Sequence, residues 1–205
     1  MTDTSGDPVV LAFDTSAAHC AAALLRGETL IASVSEEMGR GQAERLIPLL
    51  DTLLQDAGLG WRDLDAMAVG VGPGNFTGIR ISVSAARGLA LALDIPAIGV
   101  STFAAISQIT EAPHLAAVPA PQGNVYVAPA GQIPALVALS EVQDNGLPLV
   151  LPPSPSDLAV AMAQVALAVL HNGGPFHAPA PLYIRPADAA PARDTAPLIL
   201  TDDAG

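Results

Sequence analysis

At 205 residues, with 51% hydrophobic residues, the chain can fold around a substantial core, which excludes a disordered polymer. Aromatic residues are only 3%, so that core must be built from Ala, Leu, Val and Ile. A net charge of -12 repels phosphate backbones and excludes a role as the main contact to nucleic acid. The single cysteine, Cys20, excludes an internal disulfide framework and fits a reducing compartment.

The first residues, MTDTSGDPVVLAFDTS, carry acids where a signal peptide needs basic residues. No stretch approaches the ~20 consecutive apolar residues of a bilayer span. Both points lead to the expectation of a soluble cytoplasmic protein without a membrane contact. Three short apolar runs follow, VVLAFDTS (Val9–Ser16), CAAALLRG (Cys20–Gly27) and TLIASVSEE (Thr29–Glu37), broken by polar or glycine-containing turns. They predict successive antiparallel strands. GQAERLIPLLDTLLQDAGLG has apolar residues at Leu46, Ile47, Leu50, Leu53, Leu54 and Ala57, which is helical spacing, with Gly58 as a stop. Pro48 removes a backbone donor and should bend this helix in its first turn or two.

LDAMAVGVG then reads as a buried strand, TGIRISVSAARGLALAL as a helix, PAIGVST as a strand and FAAISQI as a short helix. The order β-β-β-α-β-α-β-α predicts a mixed sheet with right-handed crossovers, as in the ribonuclease H-like core shared by actin, sugar kinases and Hsp70-type ATPases. The expected fold class is thus α/β and actin-like. The N-terminal lobe is drawn over residues 8–109, a smaller C-terminal lobe over 110–190 and a tail over 191–205. The second half is proline-dense and harder to read. Val125–Ala128 and Leu136–Leu139 suggest strands, and SDLAVAMAQVALAVL (Ser156–Leu170) a helix with Ser156 as its N-cap.

Two places carry possible chemistry. Asp14-Thr15-Ser16 ends the first strand, where in an actin-like fold a carboxylate can approach a metal-bound phosphate; the same residues also suit a local turn. Gly72-Pro73-Gly74-Asn75-Phe76-Thr77-Gly78 lies between a strand and a helix, the setting of a phosphate loop, with Thr77 as a candidate cap. It lacks the Lys-Ser/Thr pair of a P-loop, and a structural elbow explains it equally well. Asp14, Thr15, Gly72, Gly74, Asn75, Thr77 and Gly78 are therefore the candidate phosphate-proximal set. His19, His114, His171 and His177 show no metal-ligand spacing, and nothing pairs them or Cys20 as nucleophile and base. The helix after the glycine loop has Arg80 and Arg87 as its only charged residues, seven apart. A helix so apolar is buried on every side. Either the helix at Gln42–Ala57 covers it, or both form a docking surface for another protein.

LAFDTSAAHCAAALL, GQAERLIPLLDTLL, DLDAMAVGVGPGNFTGIRISVSAARGLALALDIPAIGVSTFAAI and the late PLYIRP resemble the TsaB (YeaZ) family. These are the dimerisation subunits of the bacterial tRNA threonylcarbamoyladenosine machinery, in the glycoprotease-like superfamily. The likeness runs from Val9 to about Ile106 and returns at Pro181–Pro186. It implies an actin-like fold with no catalysis and no cofactor of its own. A catalytic paralogue, TsaD, would modify the adenosine after the anticodon, joined by the ATPase TsaE, with ATP and a metal ion on those partners and tRNA met only indirectly. The His-x-x-x-His of TsaD has no counterpart in Ser101–Ile106 here. The resemblance also implies that the two helices bundle with the same helices of TsaD, or with a second copy when the chain is alone. The implied interface residues are Glu44, Leu46, Ile47, Leu50, Leu54, Arg80, Ser82, Ala86 and Arg87. Val118–Asn124 lacks the charges many relatives carry there, which puts contacts of the second lobe in doubt. The alternatives are an ATP-dependent enzyme of the same fold, such as a small kinase, and a metallopeptidase. The first needs a second phosphate loop and the second needs metal ligands; neither is found.

Overall fold

A computed structural model describes residues 6–129, 132–142 and 146–184. The expected tail at 191–205, and Arg185-Pro186 of the late motif, lie outside them. Three antiparallel strands come first, β1 (Val9–Asp14), β2 (His19–Arg26) and β3 (Thr29–Glu37). They are followed by α1 (Gln42–Asp56), β4 (Ala66–Gly70), α2 (Phe76–Leu93), β5 (Ala97–Val100) and α3 (Thr102–Gln108). This is the order predicted from the apolar runs. The sheet runs β3-β2-β1-β4-β5, antiparallel on one side of β1 and parallel on the other. A parallel neighbour requires a crossover, and α1 and α2 supply the two crossovers into β4 and β5.

β1 is buried on both faces, so its side chains divide between two cores. Val9, Leu11 and Phe13 face α1 and α2, with Leu46, Leu50, Leu54, Ile79 and Val83 completing that layer. Val10 and Ala12 face the other side, where a long late helix α5 (Pro155–His171) lies across β2, β1 and β4. That layer is mostly alanine: Ala21, Ala23, Ala66 and Ala68 meet Ala159, Ala163 and Ala166. Small side chains on both surfaces allow a close approach of helix to sheet, which is how a chain poor in aromatics closes its core.

A second sheet, β8-β7-β6-β9, is formed by β6 (Leu115–Pro119), β7 (Asn124–Ala128), β8 (Ala135–Ala138) and β9 (Leu149–Val150), with a short α4 (Leu139–Val142) after β8. The segment drawn from sequence as a second lobe thus contributes its own sheet, while its helix α5 packs on the first one. Two local readings need correction. The N-cap of α5 is Ser154, not Ser156: the Ser154 Oγ accepts from the Asp157 N–H, and Pro155 takes the first helical position. Proline suits that position because its missing donor is an orphan there anyway. The N-cap of α2 is Asn75, not Thr77, and the helix begins at Phe76. As read from sequence, Pro48 lies within α1, on its exposed face. Gly58 does end α1 as expected, with φ +68 and its N–H on the Gln55 carbonyl.

Candidate functional site

The end of β1 and the turn into α2 are held together by backbone contacts. Gly74 and Gly78 have no room for a side chain. A Cβ on Gly74 would lie 2.3 Å from the Ser16 carbonyl oxygen, and one on Gly78 would lie 1.9 Å from that of Thr15. The Asn75 N–H donates to the Ser16 carbonyl at 2.6 Å, and the Thr15 hydroxyl donates to the Gly78 carbonyl at 2.7 Å. Gly72 sits at φ +98 with the Ile79 side chain against it. The glycines therefore serve close approach between two chain segments. Thr15 and Gly78 are buried and Thr77 is exposed, so the seven candidate residues form one elbow whose backbone is turned inward.

Asp14 is fully buried behind this elbow. Its Oδ2 accepts from the Ser16 N–H at 3.1 Å and the Ser16 hydroxyl at 2.9 Å, and lies 2.8 Å from His19 Nε2. This is the local turn weighed from sequence, with a histidine added five residues on. Asp14 Oδ1 has no partner, and a Cβ on Gly70 would fall 1.8 Å from it. Above lies a cleft of about 750 Å³ between the two sheets, lined by Ser16, His19, Gln42, Asn75 and Thr102 among others. Among the described residues no lysine or arginine lines it. A phosphate there would meet no described lysine or arginine to offset its charge, and the ring of His19 already faces Asp14.

Cys20 is buried at the start of β2, and burial, with Glu36 adding to it, pushes its thiol up to about 11. It stays protonated at neutral pH and is a poor nucleophile. Among the described residues no group of three or more His, Cys, Asp or Glu could hold a metal ion.

The cap at Asn75 gives the elbow a second duty. Its Oδ1 accepts from the Gly78 N–H at 2.9 Å, satisfying one orphan donor of α2. Asn75→Ala should cost about 1 kcal/mol in urea unfolding. Thr77→Ala, on the residue the sequence favoured as cap, should fall within about 0.5 kcal/mol of the parent.

The two outer helices divide the nine interface candidates by exposure. Leu46, Leu50, Leu54, Ser82 and Ala86 are at most 1% exposed and belong to the chain's own core or its immediate support. The Ser82 hydroxyl donates to the Gly70 carbonyl. Glu44, Ile47, Arg80 and Arg87 are exposed. Helical spacing found the apolar stripe but does not say which part of it the sheet already covers. Only five of the 18 residues of α2 are buried: Gly78, Ile79, Ser82, Val83 and Ala86. Its apolar surplus is wide enough that, among the described residues, it alone has the length and composition of a membrane span. Here α2 packs on β4 and β5 and against α1, and leaves Phe76, Arg80, Ser84, Arg87, Gly88 and Leu91 exposed. The late segment Pro181–Ile184, whose likeness to the motif gave no role, binds at the start of α2. Leu182 donates its N–H to the Val71 carbonyl, and Tyr183 stacks on Phe76 at 5.1 Å between centroids.

Residues 32–141 match the family model described as TsaD, tRNA N6-adenosine threonylcarbamoyltransferase. The tRNA threonylcarbamoyladenosine biosynthesis protein TsaB of Haemophilus influenzae is 39% identical over 123 residues, 57% of this chain and 51% of that protein. TsaB of Escherichia coli is 38% identical over 122 residues, 57% of this chain and 52% of that protein. The chain spans about half the length of these curated relatives. An uncharacterised protein of Mycobacterium tuberculosis (H37Rv) is 34% identical over 208 residues, covering 89% of this chain and 94% of it. The solved structure of YeaZ from Pseudomonas aeruginosa superposes with a TM-score of 0.68 at 28% identity, over 86% of this chain and 100% of that one.

Proposed function

The chain belongs to the TsaB/YeaZ family within the glycoprotease-like TsaD superfamily, and from that premise we propose that it is a non-catalytic scaffold. In this reading it binds a TsaD-like catalytic paralogue through the outer faces of α1 and α2. The paralogue modifies tRNA, and ATP and a metal ion act on partner subunits. The observation that carries the reading is the exposed outer side of α2, where Phe76 and Leu91 stand open beside Arg80 and Arg87. Aromatic and arginine side chains exposed together are the residue types enriched at protein interfaces. The four exposed candidates, Glu44, Ile47, Arg80 and Arg87, would touch the partner. The five buried ones would hold the two helices at the right spacing. The same face would pair two copies when the chain is alone, and a TsaE-like ATPase would join the assembled pair. A net charge of -12 agrees with tRNA being held by the partner. A cytoplasmic setting follows from the single buried thiol and from this place in tRNA modification.

The test is titration of the purified chain with the TsaD-like paralogue from the same organism. Ile47 is 41% exposed on α1, so Ile47→Glu should leave folding intact. A charge placed in an apolar contact should weaken pairing by ~30-fold or more. Ile133→Glu, on the other lobe and 89% exposed, should leave affinity within about threefold. Equal affinity for all three proteins would remove α1 and α2 from the interface.

A further inference from the structure

The side of α2 turned away from α1 borders a groove. Its far wall is the late segment from Phe176 to Ile184. Three hollows, of about 520, 440 and 260 Å³, lie along it. On the helix wall they advance from Leu91 and Arg87, through Ser84, to Phe76. On the opposite wall they advance from Phe176–Pro179, through Pro181, to Leu182–Ile184. Arg87 lines the first two hollows, and Arg80 lines the second beside the aromatic pair of the third. The hollows therefore follow one another along a single groove with antiparallel walls.

Its chemistry is unusual for this chain. Phe76, Phe176 and Tyr183 are three of only four Phe and two Tyr in the sequence. All three stand about half exposed here, with Leu91 at 86%. Among the described residues no Asp or Glu lines any of the three hollows, although acids outnumber bases 20 to 8 in the chain. Neither arginine has a carboxylate partner among the described residues; the ion pairs there are Asp14–His19 and Arg45–Glu36. Arg80 is also fixed in place. Its Nε donates to the Tyr183 hydroxyl at 2.8 Å, and its Cζ lies 3.9 Å from the centre of the Phe76 ring. This leaves the two terminal nitrogens of a pre-oriented guanidinium to bind a carboxylate, with little side-chain entropy left to lose. Exposed aromatic and arginine side chains around such a channel are the residue types that dominate protein interfaces.

We propose that this groove seats an acidic segment of the catalytic paralogue, with apolar anchors in the end hollows and two carboxylates on Arg80 and Arg87. The inference rests on the pairing proposed above and adds what the partner must present. Seven residues of helix rise about 10 Å, so its two carboxylates should be spaced about two helical turns apart. An RNA strand fits less well. The Phe76 ring is already faced by Tyr183 and Arg80, which leaves little of it for a base to stack on, and the chain's overall charge repels a phosphate backbone.

The experiment places a photo-crosslinking residue at exposed Ser84, between the two arginines. It is run on the chain with its purified paralogue and tRNA, together with affinities of R80E/R87E and Ile47→Glu. The expected cross-linked peptide comes from the paralogue and carries at least two Asp or Glu. Pairing by R80E/R87E should be ~30-fold weaker or more at 0.1 M salt, and raising the salt should weaken the parent pair. Both arginines are exposed, so an unchanged melting temperature checks that the variant folds. A cross-link to tRNA or to a peptide without acids overturns the proposal. So does normal pairing by R80E/R87E when Ile47→Glu is defective, and in that case the paralogue reading stands without the groove. Failure of the parent chain to pair removes both.

Discussion

Gly78→Ala should lower the stability of the chain by about 3 kcal/mol, or about 6–12 °C in melting temperature for a domain of this size. Two effects oppose each other. Alanine is favoured over glycine inside a helix by about 1 kcal/mol, and Gly78 lies in the first turn of α2. Against this, the new Cβ would sit 1.9 Å from the Thr15 carbonyl oxygen, which is backbone and cannot rotate away. The elbow would have to open, breaking the hydrogen bonds from Thr15 to Gly78 and from Asn75 to Ser16. The steric effect wins. Gly88, ten residues on in the same helix, is the control: a Cβ there meets nothing within 4 Å, so Gly88→Ala should gain up to about 1 kcal/mol. Thermal unfolding of the two variants measures both signs at once. Equal melting temperatures would mean that the elbow is not packed as described.

Asp14→Ala should cost somewhat less, about 2 kcal/mol in urea unfolding. The carboxylate oxygen Oδ2 is the acceptor for the Ser16 N–H and hydroxyl, and His19 Nε2 lies against it. All of these groups are buried, so alanine would strand donors in a site that water does not reach freely. The unpartnered Oδ1 works the other way, since its loss removes a polar atom that is itself unsatisfied. Three donors at about 1 kcal/mol each outweigh that one gain. A loss below about 0.5 kcal/mol would show that Asp14 is not holding the turn together.

Most of the first sheet could be read from residue order because each element is bounded by a physical signal. Strands of four to nine residues end at turns, and Gly58 stops α1. The cap of α5 was misplaced by two residues because Ser154 and Ser156 flank Pro155, and only proline's preference for the first helical position separates them. Asn75 and Thr77 are ambiguous in the same way, since Asn and Thr both cap and they stand two apart. The burial of Leu46, Leu50, Leu54, Ser82 and Ala86 could not be settled from periodicity. A stripe of apolar positions gives the face of a helix but not the width of what covers it. The Asp14–His19 pair crosses a turn, and the Arg80–Tyr183 contact spans 103 residues, so neither leaves a local pattern. The one available signal for the groove was compositional: in a chain with 3% aromatics, a tyrosine in the late PLYIRP motif is worth placing against any other aromatic.

The measurement that bears most directly on the scaffold reading is reconstituted tRNA threonylcarbamoylation, with this chain, its TsaD-like paralogue and a TsaE-like ATPase supplied separately and together. The account predicts no modification by this chain alone, little by the paralogue alone, and a large rise when the chain is added, lost again with Ile47→Glu. Modification by this chain without the paralogue, or a paralogue indifferent to its presence, would contradict it.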